Sequence, residues 1–216
     1  VKEGMRVVVK VNLVSAMKPE QAATTHPMLL CELTKMLRER GASVLLGDSP
    51  GGLYTAAHLN HVYDVSGMHD CEAAGAELNQ DFSQISDFSN MLSDLSTYFK
   101  PRLCICDAIG GMEGNGPTQG SPREIGAILA AESPSKLDLL AAKLIGLTAD
   151  DVPTLQAARV RGLIPQTAEE LEIAGEPERF IVPDFKTMPA QSSVFFHKAG
   201  TGTIGKLVDK IMFQAL

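Results

Sequence analysis

The chain has 216 residues and a net charge of −7; 44% of the residues are hydrophobic, only 5% are aromatic and none is tryptophan. These values predict a single α/β-sized domain with a core of Leu, Ile, Val, Ala and Met, and they lack the basic patch that nucleic-acid binders carry. No stretch approaches the length of a membrane-spanning helix and no signal peptide is visible. The expectation is therefore a cytoplasmic protein with neither nucleic acid nor membrane as partner.

Met5 to Val14 reads MRVVVKVNLV, a strand rich in β-branched residues. Lys10 and Asn12 interrupt its apolar run near the C-terminal end. After a polar loop, Thr24-Thr25-His26-Pro27 predicts a helix start, with Thr25 as N-cap and Pro27 in the first turn. Leu29, Leu30, Leu33, Met36 and Leu37 then recur at helical spacing, and Gly41 closes the helix. Ser43 to Gly47 is a second buried strand, running into the turn Asp48-Ser49-Pro50-Gly51-Gly52. A strand, helix and strand of this length predict a right-handed crossover and a parallel sheet.

Leu53 to Ala74 reads as mostly helical. It carries His58 and His61 at a spacing that could share a metal, but without an HExxH pattern a solvated surface is the simpler reading. Phe88 to Phe99 gives a helix that Pro101 ends. Leu103 to Cys106 then reads as a further buried parallel strand. Cys104 and Cys106 point to one face of it and behave as small buried hydrophobes.

The run Asp107 to Glu124, DAIGGMEGNGPTQGSPRE, holds five glycines and varied ionisable groups. Glycine lets backbone approach a ligand closely, so this run predicts a long ligand-facing loop. Ile125 to Ala131 is a strand, and Ser133 caps a helix that has Pro134 at its first position. Asp138 inside that helix either faces solvent or reaches the site. A short helix spans Thr154 to Gly162, an edge strand with its turns spans Glu170 to Asp184, and Ile204 to Leu216 is a final helix whose abrupt end suggests a truncated chain.

The ordered blocks Lys10 to Val14, Ala23 to Pro27, Gly47 to Gly52, Asp107 to Pro122 and Ser133 to Leu147 resemble family 362 of the domains of unknown function. Many members of that family carry a ferredoxin-like domain with two 4Fe-4S clusters nearby. The resemblance thus implies an iron–sulfur-linked redox protein, with the clusters in a neighbouring domain outside this chain and a ferredoxin-like domain or protein as possible partner. Family members also have a long middle segment that this sequence lacks near residues 82–88, which reads as residues missing from view.

The fold expectation is one α/β domain over residues 1–216, a mostly parallel sheet flanked by helices in a Rossmann-like three-layer arrangement. Ligands of open α/β sheets bind beyond the carboxyl ends of the strands. That rule nominates Lys10, Asn12, Thr25, His26, Asp48, Ser49, Gly114, Asn115, Gly116 and Thr118 for a small anionic ligand. The glycine-rich run has neither GxxxxGK[ST] nor GxGxxG, so no nucleotide is specified. Asp107 and Glu113 are hard oxygen donors suited to a divalent metal, although an aspartate there equally caps a turn. His26 is the candidate proton carrier, histidine being the side chain suited to transfer near neutral pH. Two classes stay open: an enzyme domain acting on a small anion, or a non-catalytic binding or scaffold module serving a redox partner.

Overall fold

The structure is a computed structural model and describes residues 1–12, 17–48 and 85–188. The expectations for Ser49, the histidine-bearing stretch 53–74 and the helix 204–216 lie outside those residues.

The first unit has the predicted strand–helix–strand order and parallel pairing. Strand β1 (Arg6–Lys10) and strand β2 (Ser43–Gly47) pair in parallel, Val8 opposite Leu45, with helix α1 (Pro27–Glu39) between them in sequence. Gly41 has φ +79°, the left-handed conformation that favours glycine after a helix end, and its N–H donates to Arg38 O at 2.9 Å. A side chain there would also meet Glu3 at 2.8 Å. The N-cap is His26 instead of Thr25: its backbone is extended and its Nδ1 accepts from Met28 N at 3.2 Å. Thr25 is instead drawn to Asn12, donating its N–H to Asn12 O at 3.0 Å and its hydroxyl at 3.4 Å.

The second unit departs from expectation. Strand β3 (Cys104–Glu113) and strand β4 (Ser121–Ala131) form an antiparallel hairpin, with Cys104 opposite Ala131 and Glu113 opposite Ser121. Most of the presumed glycine loop is therefore strand, and only residues 114–120 turn. Four apolar residues, Ile109, Met112, Ile125 and Ile128, carry enough strand propensity to extend the ladder on both sides. A register irregularity between Ala108 and Gly110 absorbs the local mismatch. At Gly120 a Cβ would stand 2.3 Å from Glu113 O, so the turn closes only because that position is bare.

The described strands thus form one two-stranded parallel sheet and one two-stranded antiparallel sheet among helices. A Rossmann-like three-layer sheet is not what they display, because β3 joins β4 rather than extending the β1–β2 pair. The expected edge strand over 170–184 is replaced by short 3-10 turns, Ala168–Glu170 and Pro177–Phe180. Three breakers there, Gly175, Pro177 and Pro183, deny it a run of ladder donors.

Helix α2 (Ile85–Phe99), helix α3 (Pro134–Leu144) and helix α4 (Pro153–Val160) complete the described elements. Ser133 caps α3 as predicted, its Oγ accepting from Lys136 N at 3.4 Å. Helix α3 is apolar on two sides. Leu137 and Leu144 pack on Ala108, Ala127 and Leu129 of the hairpin, while Leu139 and Ala142 pack on Leu155 and Ala158 of α4. Leu139, Leu144 and Leu155 are at most 2% exposed, and full burial of each contributes about 1.5–3 kcal/mol. Helix α2 is held to the end of α4 by Arg161, whose Nη1 reaches Asn90 O at 3.1 Å and Asp94 Oδ1 at 2.9 Å.

Candidate functional site

The carboxyl ends of β1 and β2 gather the predicted polar groups. The Lys10 ammonium donates to Val11 O at 2.9 Å, Asn12 Oδ1 at 3.1 Å and Asp48 Oδ1 at 2.9 Å. Three oxygens therefore meet the three protons of one ammonium. The Asp48 side chain is 8% exposed and that of Lys10 is 71% exposed, so the pair is buried on its anionic side and open on its cationic side. Asn12 carries the connection onward, because its backbone oxygen holds Thr25 and thereby the entry to α1.

Asp107 joins this cluster from another direction. It is the fourth residue of β3, not its end, and alternation turns it away from the face that Cys104 and Cys106 share. Its Oδ2 accepts from His26 N at 2.7 Å and its Oδ1 from Ile109 N at 3.3 Å. A carboxylate at that place also meets the positive end of α1. The backbone bond at His26 and the bond from Met28 N to Nδ1 fix the ring's chemistry. A backbone N–H only donates, so Nδ1 is the bare nitrogen and the neutral ring carries its proton on Nε2.

Glu113 is elsewhere. It sits at the hairpin turn, six residues along β3 from Asp107, which is about 20 Å of extended chain. It is 7% exposed, and its Oε2 accepts from Lys186 N at 3.2 Å while Oε1 faces Lys186 Nζ at 3.6 Å. Gly114 N–H adds a bond to Lys186 O at 2.7 Å. The expected pairing of Asp107 and Glu113 around one metal is not assembled, and among the described residues no three His, Cys, Asp or Glu side chains converge to hold an ion. Gly114, Asn115, Gly116 and Thr118 belong to the same distant turn, where Asn115 Nδ2 donates to Gln119 Oε1 at 3.0 Å. Lys10, Asn12, Thr25, His26, Asp48 and Asp107 are brought together; the glycine-turn residues are not.

The cysteines behave as packing residues. Cys104 and Cys106 lie against the core between the hairpin and α3. Burial, with Asp138 adding its charge, raises the Cys104 thiol and pushes that of Cys106 up to about 11. Crowding also raises the Asp138 carboxyl above its usual value, although part of that residue stays open to solvent. Cys31 is on α1, apart from both. A further recess of about 710 Å³ lies between β4, α3 and residues 162–174, and it contains none of the predicted site residues.

Two roles have no local signal in the sequence. Lys186 as the partner of Glu113, and Asp107 as the anchor of the α1 entry, join positions 73 and 81 residues apart. No local spacing signals such pairs.

A family model described as "Domain of unknown function (DUF362)" matches residues 7–85 and 72–143. The chain belongs to this family. A curated relative, Thylakoid-associated protein sll1697 of Synechocystis sp. strain PCC 6803, is 24% identical over 254 aligned residues, covering 86% of this chain and 77% of the relative. No solved structure matches significantly. The alignment is longer than the chain itself, 254 positions against 216, so the family relative carries positions with no counterpart here. Among the described residues no helix is long and apolar enough to cross a membrane.

Proposed function

We propose that this DUF362 chain binds a small anionic ligand at the carboxyl ends of β1 and β2, where α1 begins. The observation that carries the reading is the orientation of donors and acceptors. Asp48 and Asp107 spend their oxygens inward, on Lys10 and on the backbone of His26 and Ile109. The Lys10 side chain is 71% exposed, so an incoming anion can approach its charge and take over one of the three N–H bonds now given to Val11 O, Asn12 and Asp48, and the cap leaves an Nε2–H on His26. Two positive or donor groups beside a helix N-terminus favour an anion over a metal. The carboxylates are in no position to compete for a divalent ion without first releasing Lys10 or the α1 entry. We therefore carry the anionic ligand forward and set the metal aside.

The test uses inorganic phosphate and acetate as probes in calorimetric titrations. Asparagine is a good N-cap, so His26→Asn keeps an acceptor for the first turn and removes only the Nε2 donor. Binding about tenfold weaker in His26→Asn and in Lys10→Met, with unchanged circular dichroism, supports the reading, since hydrogen bonds to charged groups contribute about 1.5–3 kcal/mol. Parent-like affinity in both variants would remove the strand-end site.

The redox association is a separate part of the proposal and rests on the family resemblance alone. In this reading the clusters belong to a neighbouring domain, and the present chain supplies ligand binding, or docking, beside it. Iron and sulfide analysis of the natural full-length protein decides it. An iron-free natural protein ends the redox reading while leaving the anion site untouched.

A further inference from the structure

We propose that the tip between α2 and β3 is a peripheral docking surface for an anionic lipid bilayer, with Tyr98, Phe99 and Leu103 entering the headgroup region and Lys100 and Arg102 meeting lipid phosphates. The tip exposes large apolar side chains in one short stretch: Tyr98 is 80% exposed, Phe99 72% and Leu103 56%. Scattered exposed apolar residues are ordinary, but a contiguous group marks an interaction surface.

The tip is also ordered by its own bonds. The Tyr98 and Phe99 rings meet edge to face, with centroids 5.2 Å apart and planes at 88°. Lys100 adopts φ +45°, rare for a residue with a side chain, and its N–H is tied to Ser96 O at 3.1 Å. Pro101 cannot continue the helix. The chain therefore turns sharply and presents both rings outward, with cations at 100 and 102. Among the described residues neither Lys100 nor Arg102 has an ion-pair partner. In a chain of net charge −7, two unpaired cations beside three exposed apolar residues form a local exception.

Charge and size select the occupant. Aromatic rings flanked by Lys or Arg are the composition of membrane–water interfaces, where the rings sit at headgroup depth and the cations reach phosphate. A stable protein partner would need about 800 Å² on each side, more than a tip of five residues offers. A bilayer asks for no matching concave surface. Hydropathy had excluded spanning segments, which leaves surface association open.

Sedimentation of the full chain with vesicles tests the proposal. Vesicles of phosphatidylcholine are compared with vesicles containing about 30% phosphatidylglycerol, because anionic lipid adds attraction for each surface cation. Parent protein is expected to pellet with the anionic vesicles and to be released by salt. The double variant Tyr98→Ser/Phe99→Ser should lose at least about tenfold in partitioning, and Lys100→Gln and Arg102→Gln roughly fivefold each. All four positions are exposed at the surface, and an unchanged thermal transition confirms an intact fold. Failure of the parent to pellet with anionic vesicles overturns the proposal and leaves the tip to a protein partner. Equal pelleting of parent and aromatic variant overturns it as well.

Discussion

The β1–α1–β2 unit and the hairpin–α3–α4 unit are stabilised by different means. The second has a deep apolar interior: Leu139, Leu144 and Leu155 are almost completely enclosed, and α3 is packed on two sides. The first buries Val11, Leu30, Ala42 and Leu46 but leaves Val8 69% and Met36 50% exposed, and it adds polar bonds around Lys10, Asn12 and Asp107. Apolar packing tolerates rigidity and depends on volume. A polar fastening depends on charge and hydrogen-bond geometry, which are the properties a ligand changes. The candidate site accordingly lies in the unit whose polar groups carry structural load.

The largest test of this contrast is Leu155→Ala. Truncating a fully buried leucine costs about 2–5 kcal/mol, which urea denaturation would register, whereas Val8→Ala at an exposed position should stay within about 0.5 kcal/mol. Equal effects would erase the distinction between the units. Next comes Asp107→Ala, which leaves the His26 N–H without its partner and removes a charge from the start of α1. A loss of about 2 kcal/mol is expected, with hydrogen exchange at His26 and Met28 accelerated before that of α3. Lys10→Met should cost about 1 kcal/mol or less, because the lysine side chain is mostly solvated and screening limits the pair. Its loss should shrink further in high salt.

Two smaller effects concern α3 and β3. The Asp138 carboxyl is raised in the folded protein, so the fold holds that proton more tightly than the unfolded chain does. The contribution of this one group to stability is therefore full below the ordinary carboxylate range and is lost as pH rises through it to the raised value, and it is small because the residue stays partly open to solvent. Asp138→Asn should flatten that part of the pH profile, and an unaltered profile would contradict the assignment. Cys106, pushed up to about 11, should be alkylated at pH 8 far more slowly than an unstructured cysteine. Mass spectrometry after iodoacetamide treatment reads this directly.

The sequence disclosed what rests on neighbours along the chain. The β1–α1–β2 order, the Gly41 stop and the Ser133 cap with Pro134 follow from local spacing, and the clustering of Lys10, Asn12, Thr25, His26 and Asp48 follows from the rule that polar groups gather at the carboxyl ends of parallel strands. It misjudged the glycine-rich run because five glycines read as loop, although the opposing halves Cys104–Glu113 and Ser121–Ala131 had enough β-branched and apolar residues to pair. Pairing of that sort is decided by the partner strand, and propensity within one segment does not reveal it. The same limit explains His26. The choice between Thr25 and His26 as N-cap was settled by Asn12 and Asp107, which lie 13 and 81 residues from the residues they hold.

The Glu113–Lys186 contact has a consequence in time rather than in space. It joins residues 73 apart in sequence, and contacts that close so long a loop form late, after the hairpin and α3 have brought the ends together. A bond made after the transition state slows unfolding without speeding folding. Removing the Glu113 carboxylate should therefore leave the refolding limb of a chevron plot in place and lift the unfolding limb, so that this contact, buried only on its Glu113 side, acts as a brake on opening.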